Sequence, residues 1–264
     1  MLIVAERINS SRKAINEAIK AQDADFIRAE AKAQAEAGAD YIDVNAGSFV
    51  GQEAEYLCWL VAVAQSATEL PLCLDSPDPA AIAAALEVVK GPVMLNSITL
   101  EKQRLAGMLP LVKKYRTKIV ALCQSEKGMA NTVSEKVGIA RQMVAVLTKE
   151  GVALDDIYID PLIYPIATDT QSAVAAMGAI SEIGQLFPGV HTICGLTNVS
   201  FGLPVRKLIN RTFLVAAMAH GLDSAIIDPT DRELMASLVA AETILDRDKF
   251  CVGYITAYRE GKLS

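Results

Sequence analysis

The sequence predicts an α/β fold of the (β/α)8, or TIM, barrel class, and three observations lead to this prediction. Eight short apolar runs are distributed along the chain, the segments between them have helical composition, and 264 residues is close to the length of one such barrel. Continuous apolar runs of four or five residues suit parallel strands that are covered on both faces. We therefore expect a single domain that spans residues 1–264.

Nearly every predicted strand runs into an acidic or amide residue. In chain order, the runs and the polar residues after them are Leu2 to Ala5 before Glu6, Tyr41 and Ile42 before Asp43 and Asn45, Leu72 to Leu74 before Asp75, Val93 to Leu95 before Asn96, Ile119 to Leu122 before Gln124, Ile157 to Ile159 before Asp160, Thr192 to Leu196 before Asn198, and Ala225 to Ile227 before Asp228. Active sites of these barrels are built at the carboxyl ends of the strands. We therefore expect the functional residues among these polar positions.

Helices and loops follow from local signals between the runs. Ala24 to Ala37 is rich in Ala and Glu and ends before a glycine, and Pro79 to Val89 begins beside Asp78, which is suited to be its N-cap. The longest irregular segments are predicted at 124–132 and 161–170, after strands five and six. Both lie on the side where the strands end, so we expect them to form mobile walls of the site.

Composition limits the classes of partner and compartment. A formal net charge of -6 and a pI near 5.1 argue against nucleic acid or an anionic membrane as the partner. Met1 to Ala5 is too short for a signal peptide core, and no run of about 18 apolar residues could span a bilayer, so we expect a cytoplasmic protein. The five cysteines are scattered without a C-x-x-C pair, which predicts reduced core thiols and no zinc site.

Three of the strand-end residues suggest recognition of a flat heterocycle. Asp75, Asn96 and Asp160 follow predicted strands three, four and six, so their side chains can converge over the barrel mouth. A carboxylate can accept two adjacent ring N–H groups, and an amide offers both a donor and an acceptor. Each residue could instead be a helix N-cap or a turn residue. For Asp75, which precedes Ser76-Pro77-Asp78, the two interpretations carry equal weight.

An ordered set of short motifs extends over almost the whole chain. The motifs are Ala5-Glu6-Arg7-Ile8-Asn9, Leu74-Asp75-Ser76, Leu95-Asn96-Ser97, Tyr158-Ile159-Asp160-Pro161-Leu162, and Gly195-Leu196-Thr197-Asn198-Val199-Ser200-Phe201-Gly202 followed by Arg206, Asn210 and Arg211-Thr212-Phe213-Leu214. On these motifs the sequence closely resembles the methyltetrahydrofolate:corrinoid-protein methyltransferases. It is similar also to the folate-binding module of cobalamin-dependent methionine synthase and, more distantly, to dihydropteroate synthase, all of them pterin-binding TIM barrels.

The resemblance implies roles for four residues. Asp75, Asn96 and Asp160 match the residues that bind the pterin ring in that family. Asn198 matches the asparagine that forms a hydrogen bond with N5, the nitrogen that bears the methyl group.

Five further residues fall on shared motif positions and are expected to bind the substrate as well. They are Glu6, Asn9, Asp43, Ser200 and Arg206. Alternatively, Arg206 could be an ion-pair partner on a helix surface, and Glu6 could be a buried structural carboxylate.

The reaction that the resemblance implies is an SN2-type methyl transfer between N5 of methyltetrahydrofolate and the Co(I) centre of a corrinoid, in either direction. A neutral tertiary amine is a poor leaving group, so a proton or a hydrogen-bond donor must assist at N5. The amide of Asn198 is suited to that task. His191 lies before strand seven and His220 ends the next helix, both toward the opposite face, so we expect neither histidine to be catalytic.

The corrinoid itself is expected on a partner. Modules that hold it through a histidine carry an Asp-x-His-x-x-Gly motif, whereas here Met218 stands two residues before His220 and Gly189 two residues before His191. We therefore expect a separate corrinoid protein to dock over the barrel mouth, with methyltetrahydrofolate or tetrahydrofolate as the small substrate. The resemblance further implies a homodimer.

Three alternatives remain at this point. Dihydropteroate synthase would share the fold, but its Lys and Ser-x-Arg elements for pyrophosphate are missing after strands seven and eight, which continue as Thr197-Asn198-Val199-Ser200 and Asp228-Pro229-Thr230-Asp231. A non-catalytic folate-binding subunit would have every ligand contact without transfer. The last alternative is a barrel whose polar strand ends serve only as caps and turns.

Overall fold

The computed structural model describes residues 1–263, in which strands and helices alternate. The strands are β1 (Leu2–Asn9), β2 (Tyr41–Asn45), β3 (Leu72–Asp75), β4 (Val93–Ile98), β5 (Lys118–Leu122), β6 (Gln124–Ser125), β7 (Gly128–Met129), β8 (Ile157–Asp160), β9 (His191–Thr192) and β10 (Ser224–Ile227). The helices are α1 (Lys13–Ala21), α2 (Ala24–Glu36), α3 (Glu53–Gln65), α4 (Pro79–Leu86), α5 (Lys102–Tyr115), α6 (Val133–Lys149), α7 (Ser172–Leu186), α8 (Arg206–Ala219), α9 (Arg232–Ile244) and α10 (Val252–Arg259). Short 3-10 turns cover Leu154–Asp156, Leu196–Ser200 and Lys249–Cys251.

Eight of the strands form one parallel sheet in the order β10-β1-β2-β3-β4-β5-β8-β9. The two edges meet where Gly195 bridges Ile226, and the N–H of Ile226 donates to the carbonyl of Cys194 at 2.9 Å. The sheet therefore curls into a nearly closed barrel surrounded by helices. The predicted (β/α)8 class is confirmed.

Two predicted segments differ from the structure. The seventh strand was expected over Thr192 to Leu196, but β9 ends at Thr192 and Leu196–Ser200 forms a 3-10 turn. Leu196 is apolar because it is buried in the core between barrel and helices, and a short apolar run cannot distinguish this burial from a strand. Segment 124–132, expected to be irregular, contains the small antiparallel hairpin of β6 and β7.

The interior of the barrel is filled by one layer of mainly apolar side chains, and a polar layer lies next to it, toward the carboxyl ends of the strands. Seven inward-facing residues form one buried cluster: Val4, Tyr41, Cys73, Met94, Val120 and Tyr158 on strands, and Ile193 directly after β9. Residues i and i+2 of an extended segment share a face. The next inward position after each of them is therefore Glu6, Asp43, Asp75, Asn96, Leu122, Asp160 or Gly195. This alternation places a polar layer directly above the apolar filling, at the carboxyl ends of the strands.

Several local predictions can be compared with the structure. Asp78 is the N-cap of α4, accepting from the N–H of Ala80 at 2.9 Å, as its position before a proline indicated. All five cysteines are free, but only Cys73, Cys123 and Cys194 are buried. The prediction of core thiols is wrong for Cys58, which is half-buried, and for Cys251, which is exposed, because these two lie on helical segments outside the barrel. No helix among residues 1–263 is long and apolar enough to cross a bilayer.

Candidate functional site

A cavity of about 740 Å³ opens at the carboxyl ends of the barrel strands. Eight of the residues singled out in the sequence line it: Glu6, Asn9, Asp43, Asp75, Asn96, Asp160, Asn198 and Arg206. Its walls also include Ser11, Arg12, Ser97, Leu122, Leu162, Gly195, Thr197, Phe201, Lys207, Asn210, Ile226, Asp228, Asp231 and Leu234. Residues that are far apart in sequence therefore converge at one polar site.

Asp75 is oriented by its neighbours in the sheet. Asn45, Asp75 and Asn96 stand beside one another in register on β2, β3 and β4. The Nδ2 of Asn45 donates to Oδ2 of Asp75 at 2.9 Å, while Oδ1 of Asn45 accepts from Ser10 Oγ at 3.0 Å and from the N–H of Gly47 at 3.0 Å. Asn45 is thus held on both sides and fixes the Asp75 carboxyl, which does not cap a helix.

The Asp160 carboxyl both stabilises a turn and lines the cavity. Its Oδ1 accepts from the N–H of Leu162 at 2.7 Å, and Leu162 has a left-handed φ of 58°. Burial raises the pKa of Asp160 to about 6, against the opposing effects of backbone hydrogen bonds from Leu162 and Gly195 and of the charge on Lys136. The predicted turn role and the predicted cavity position therefore coexist in this residue.

Asp43 and Asp75 form a close acidic pair inside the barrel. Burial, followed by the charge of Asp75, raises the pKa of Asp43 well above its ordinary value. Burial also raises the pKa of Asp75 to about 6, although a hydrogen bond from Asn45 and the charge of Arg104 oppose this. Oδ1 of Asp43 is buried without a hydrogen-bond partner among residues 1–263. Because burial and mutual repulsion disfavour two ionised carboxyls this close together, the environment of Asp43 favours its protonated form.

Glu6 and Asp228 form a second acidic pair at the other side of the mouth. Burial and the charge of Asp228 raise the pKa of Glu6 to about 7, while a hydrogen bond from Thr197 Oγ1 at 3.3 Å opposes the shift. Burial disfavours ionisation of Asp228, but hydrogen bonds from Thr230 and the charge of Arg7 hold its pKa below the ordinary value. Arg7 donates to Asp228 Oδ2 at 3.0 Å. The permanent negative charge of the pair therefore rests on Asp228.

The side chain of Asn198 is available for a ligand. Asn198 lies in the 3-10 turn Leu196–Ser200, lines the cavity, and its side-chain amide makes no hydrogen bond with any of residues 1–263. Gly195 leaves the space that this amide needs, because a Cβ at that position would stand 3.2 Å from Asn198 Nδ2. The turn thus presents an unpaired donor and acceptor to the cavity.

Ser200 and Arg206 hold that turn in place. Ser200 is fully buried beneath the cavity rather than in its wall, and its Oγ donates to the carbonyl of Thr197 at 3.3 Å. Arg206 donates through Nε to Ser200 Oγ at 3.1 Å and through Nη2 to the Thr197 carbonyl at 2.8 Å. Its guanidinium also lies 5.6 Å from the ring centroid of Phe201. Within residues 1–263 Arg206 makes no ion pair, so the surface ion-pair alternative does not describe it.

Some cavity residues were given no role from the sequence, because they do not end a strand. Arg12 and Lys207 bring positive charge to the rim from the β1–α1 loop and from α8. Asn210 stands one helical turn after Arg206, and its Oδ1 is buried without a partner among the residues described. The spacing from Arg206 to Asn210 puts both on one helix face, which is the signal that could have identified Asn210.

Both histidines lie away from the cavity. His191 Nδ1 is 2.7 Å from Asp223 Oδ2 and its Nε2 is 3.1 Å from Asp155 Oδ1, at the amino ends of the strands. His220 pairs with Ser181 at the end of α8. Across residues 1–263, no cluster of three or more His, Cys, Asp and Glu side chains has the arrangement of a metal site.

Sequence comparison identifies relatives of this chain. Residues 5–228 match the profile of the pterin binding enzyme family. The chain is 38% identical over 265 residues to a methylcorrinoid:tetrahydrofolate methyltransferase of Eubacterium limosum, covering 100% of this chain and 98% of that protein. It is 34% identical over 242 residues to methionine synthase of Mycobacterium tuberculosis, where the match covers 86% of this chain but 20% of the longer enzyme.

Solved structures agree on the fold. A dihydropteroate synthase of Clostridium difficile with pteroic acid has a TM-score of 0.73 at 17% identity, covering 92% of this chain and 96% of that one. A dihydropteroate synthase of Xanthomonas albilineans with 7,8-dihydropteroate has a TM-score of 0.69 at 19% identity, covering 94% and 93%. Together with the profile match and the full-length relative, these similarities have one consequence: the chain belongs to the pterin binding enzyme family.

Proposed function

We propose that this chain transfers a methyl group between N5 of a folate and the cobalt of a corrinoid carried by a separate protein. The observation that carries the proposal is the 38% identity, over the whole chain, to a methylcorrinoid:tetrahydrofolate methyltransferase. The cavity supports it, because a volume of about 740 Å³ is within the usual range for a ligand of drug size.

The pterin ring is assigned to the polar layer of the barrel. Asp75 accepts from Asn45 at 2.9 Å and Asp160 from the N–H of Leu162 at 2.7 Å, and the remaining lone pairs of both carboxylates can accept from ring N–H groups. Asn96 stands next to Asp75 in register and can bond a neighbouring ring edge as donor or acceptor. Because these groups are largely withdrawn from water, each ring hydrogen bond they make is stronger than it would be on the surface.

Asn198 is assigned to N5. The methyl group leaves N5 as the carbon–nitrogen bond breaks, and the electron pair of that bond stays on nitrogen. A side-chain amide N–H directed at N5 stabilises this charge more in the transition state than in the ground state. Asn198 has such a donor, unpaired and fixed by the turn that Arg206 and Ser200 hold.

The corrinoid protein is assigned to the rim of the cavity. Four strongly exposed apolar side chains lie in the segments that follow barrel strands: Val50 at 92%, Phe201 at 64% and Val205 at 73% exposure in loops, and Met129 at 52% exposure in the β6–β7 hairpin. Exposed apolar groups around a polar cavity are typical of a docking surface. A partner seated on them would bring its cobalt over the bound folate and exclude water.

A homodimer and a cytoplasmic location are also part of the proposal. Exposed apolar side chains continue along the last helices, at Leu208 and Val215 on α8 and at Ile255 and Tyr258 on α10. A self-complementary interface on these helices would remove them from water. Light scattering of the purified protein measures the expected mass of two chains.

The decisive experiment measures methyl transfer spectroscopically in both directions. Methyltetrahydrofolate is mixed with the chain and a reduced Co(I) corrinoid protein, and tetrahydrofolate is mixed with the chain and a methylated corrinoid protein. Turnover in either direction supports the enzyme. Tight folate binding without transfer to any corrinoid protein tested would favour a non-catalytic folate-binding subunit, and absence of folate binding would contradict both.

The histidines provide a first prediction. His191→Gln and His220→Gln should each transfer methyl at the wild-type rate, because both rings lie outside the cavity and pair with Asp155, Asp223 or Ser181. Single-turnover rates of the two variants check this. A large loss of rate in both variants, with folate binding and thermal stability intact, would show that the chemistry has been assigned to the wrong end of the barrel.

Gly195 provides a second prediction. Gly195→Ala places a Cβ 3.2 Å from Asn198 Nδ2, so the amide must move by a few tenths of an ångström. We expect roughly a tenfold slower transfer with little change in folate affinity, because catalysis depends on donor placement more steeply than binding does. Gly184→Ala, at an exposed position of α7 with nothing near its Cβ, is the matched control and should behave as wild type. Equal rates in the two variants would contradict the prediction.

A further inference from the structure

Lys136 is a lysine without any exposed surface, although it lies near the start of a helix. It is 0% exposed on α6, and its ammonium donates three hydrogen bonds to backbone carbonyls: Ala130 at 2.8 Å, Pro161 at 2.7 Å and Leu162 at 3.0 Å. Burying an ammonium is costly unless every donor is paired. All three protons of Lys136 are paired, and none of the pairs is an ion pair.

Two of the carbonyls that Lys136 binds belong to the segment after β8, which contributes Leu162 to the cavity wall, and the third belongs to a neighbouring loop. Ala130 follows the β6–β7 hairpin, and Pro161 and Leu162 follow Asp160 at the end of β8. Leu162 links the lysine to the site directly, because its carbonyl accepts from Lys136 while its N–H donates to Asp160 Oδ1 at 2.7 Å. A left-handed φ of 58° is unfavourable for leucine, and these two hydrogen bonds hold it there.

Arg104 has the same relation to Asp75 on another side of the barrel. Its guanidinium donates to the carbonyls of Ser76 at 2.7 Å, Pro77 at 2.5 Å and Ser97 at 2.8 Å. Ser76 and Pro77 directly follow Asp75, and Ser97 directly follows Asn96. Arg104 comes from α5, so one helix side chain fixes the backbone directly after β3 and near the carboxyl end of β4.

We propose that Lys136 and Arg104 are positioning residues for folate binding, which fix the backbone after Asp160 and Asp75 and supply the positive charge that faces each carboxylate. This inference rests on the proposed function, because it takes Asp75 and Asp160 as the acceptors for the pterin ring. Lys136 has no exposed surface and cannot touch a ligand in the cavity. Its action on a ligand therefore passes through Leu162 and Asp160.

Few ionisable groups surround the Asp160 carboxyl, and they come from four parts of the chain. Apart from Lys136 on α6, the ionisable neighbours of its carboxyl are Cys123 after β5, Tyr164 after β8 and Cys194 after β9, and burial keeps all three of these neutral. Lys136 is therefore the cation that favours the ionised form of Asp160.

Lys136 and Arg104 have other ionisable neighbours as well. Those of Lys136, besides Asp160, are Cys123, Glu135 and Asp169. Around Asp75 the cation is Arg104, while Glu53 and Asp43 oppose ionisation. Arg104 is also close to Asp78 and Glu101. Removal of either cation should consequently make its carboxyl harder to ionise.

The test measures the affinity for methyltetrahydrofolate by calorimetry between pH 5 and pH 8.5, in wild type and in Lys136→Met, Lys136→Gln and Arg104→Gln. In wild type, affinity should fall as the pH drops through about 6, where Asp75 and Asp160 take up protons. In each variant we expect the midpoint of this fall to move upward by roughly half a pH unit or more. At pH 8.5 the affinity of Lys136→Met should still be about fivefold weaker or worse, because the loop loses three hydrogen bonds.

The variants distinguish positioning from charge. Lys136→Gln keeps a donor without the charge, so its midpoint should move as in Lys136→Met while more of the affinity at pH 8.5 is retained. Lys149→Met, at the exposed end of the same helix, is the matched control and should be indistinguishable from wild type. A purely structural lysine would weaken binding equally at every pH and leave the midpoint in place. Ionisation of the ligand itself is common to all variants and cancels in the comparison.

Two outcomes overturn the inference without touching the proposed function. The first is that wild type binds folate, but the pH midpoint of folate affinity is the same in the variants as in wild type. The second applies if neither Lys136 variant folds: Arg104→Gln then carries the test, and an unmoved midpoint there refutes the proposal. A wild-type protein that binds no methyltetrahydrofolate would instead refute the proposed function.

Discussion

Replacing Asn198 with alanine should slow methyl transfer by about a hundredfold or more while folate binding remains measurable. The lost group is a donor that makes no hydrogen bond within residues 1–263 and is directed into the cavity. Its hydrogen bond to N5 gains strength as the electron pair of the breaking carbon–nitrogen bond accumulates on that nitrogen, so its loss falls mainly on the transition state. The pterin ring remains held by Asp75, Asn96 and Asp160. Single-turnover transfer at saturating folate measures the effect.

A second substitution at the same position separates the donor from the space it fills. Asn198→Asp keeps the shape of the side chain but offers only acceptors when ionised, so transfer should be as slow as in Asn198→Ala at neutral pH. As the pH falls and the new carboxyl takes up a proton, it can donate again, and part of the rate should return. If saturated Asn198→Ala transfers methyl at the wild-type rate, another donor must act at N5.

The positions of the site residues could be predicted because strand periodicity carries them. Each polar residue of this layer, such as Glu6 or Asp160, lies two residues after a side chain that fills the barrel, here Val4 or Tyr158. A period of two fixes both to the inner face, whatever the rest of the chain does. Local sequence therefore contained the fold and the polar layer at the floor of the cavity.

The features that were not predicted depend on contacts between distant segments. Lys136 stands in a helical stretch where a lysine normally faces solvent, and its acceptors Ala130 and Pro161 are 6 and 25 residues away along the chain. The β6–β7 hairpin has two-residue strands, too short to show an alternation. Ser200 shares a motif with Asn198, yet a motif cannot tell a wall residue from one that supports the wall. Tertiary packing decides each of these cases.

Replacing Asp160 with asparagine should weaken folate binding and at the same time stabilise the empty protein at neutral pH. The new amide still accepts from the N–H of Leu162 but turns an N–H toward a ring N–H, at a cost of about 1 to 3 kcal/mol in binding free energy. Calorimetry with methyltetrahydrofolate checks the affinity. Asp169→Asn, whose carboxylate accepts from the N–H of Gln171 in an exposed turn, is the matched control for binding. Unchanged affinity in Asp160→Asn would contradict the assignment of this residue to the pterin.

The stability effect has a definite pH dependence. The pKa of Asp160 is about 6 in the folded protein, above the ordinary 3.8, so between these values the folded state retains a proton that the unfolded state has released. The free energy of unfolding of wild type therefore falls as the pH rises through this window, and the loss persists above pH 6. Asparagine cannot ionise, so Asp160→Asn escapes the loss. Melting temperatures without ligand should be similar for the two proteins near pH 4 and higher for the variant by roughly a few °C at pH 7.5. If the difference in melting temperature between the two proteins stays constant from pH 4 to pH 7.5, burial does not make the ionised Asp160 costly. The carboxylate would then bind the pterin without lowering the stability of the empty protein.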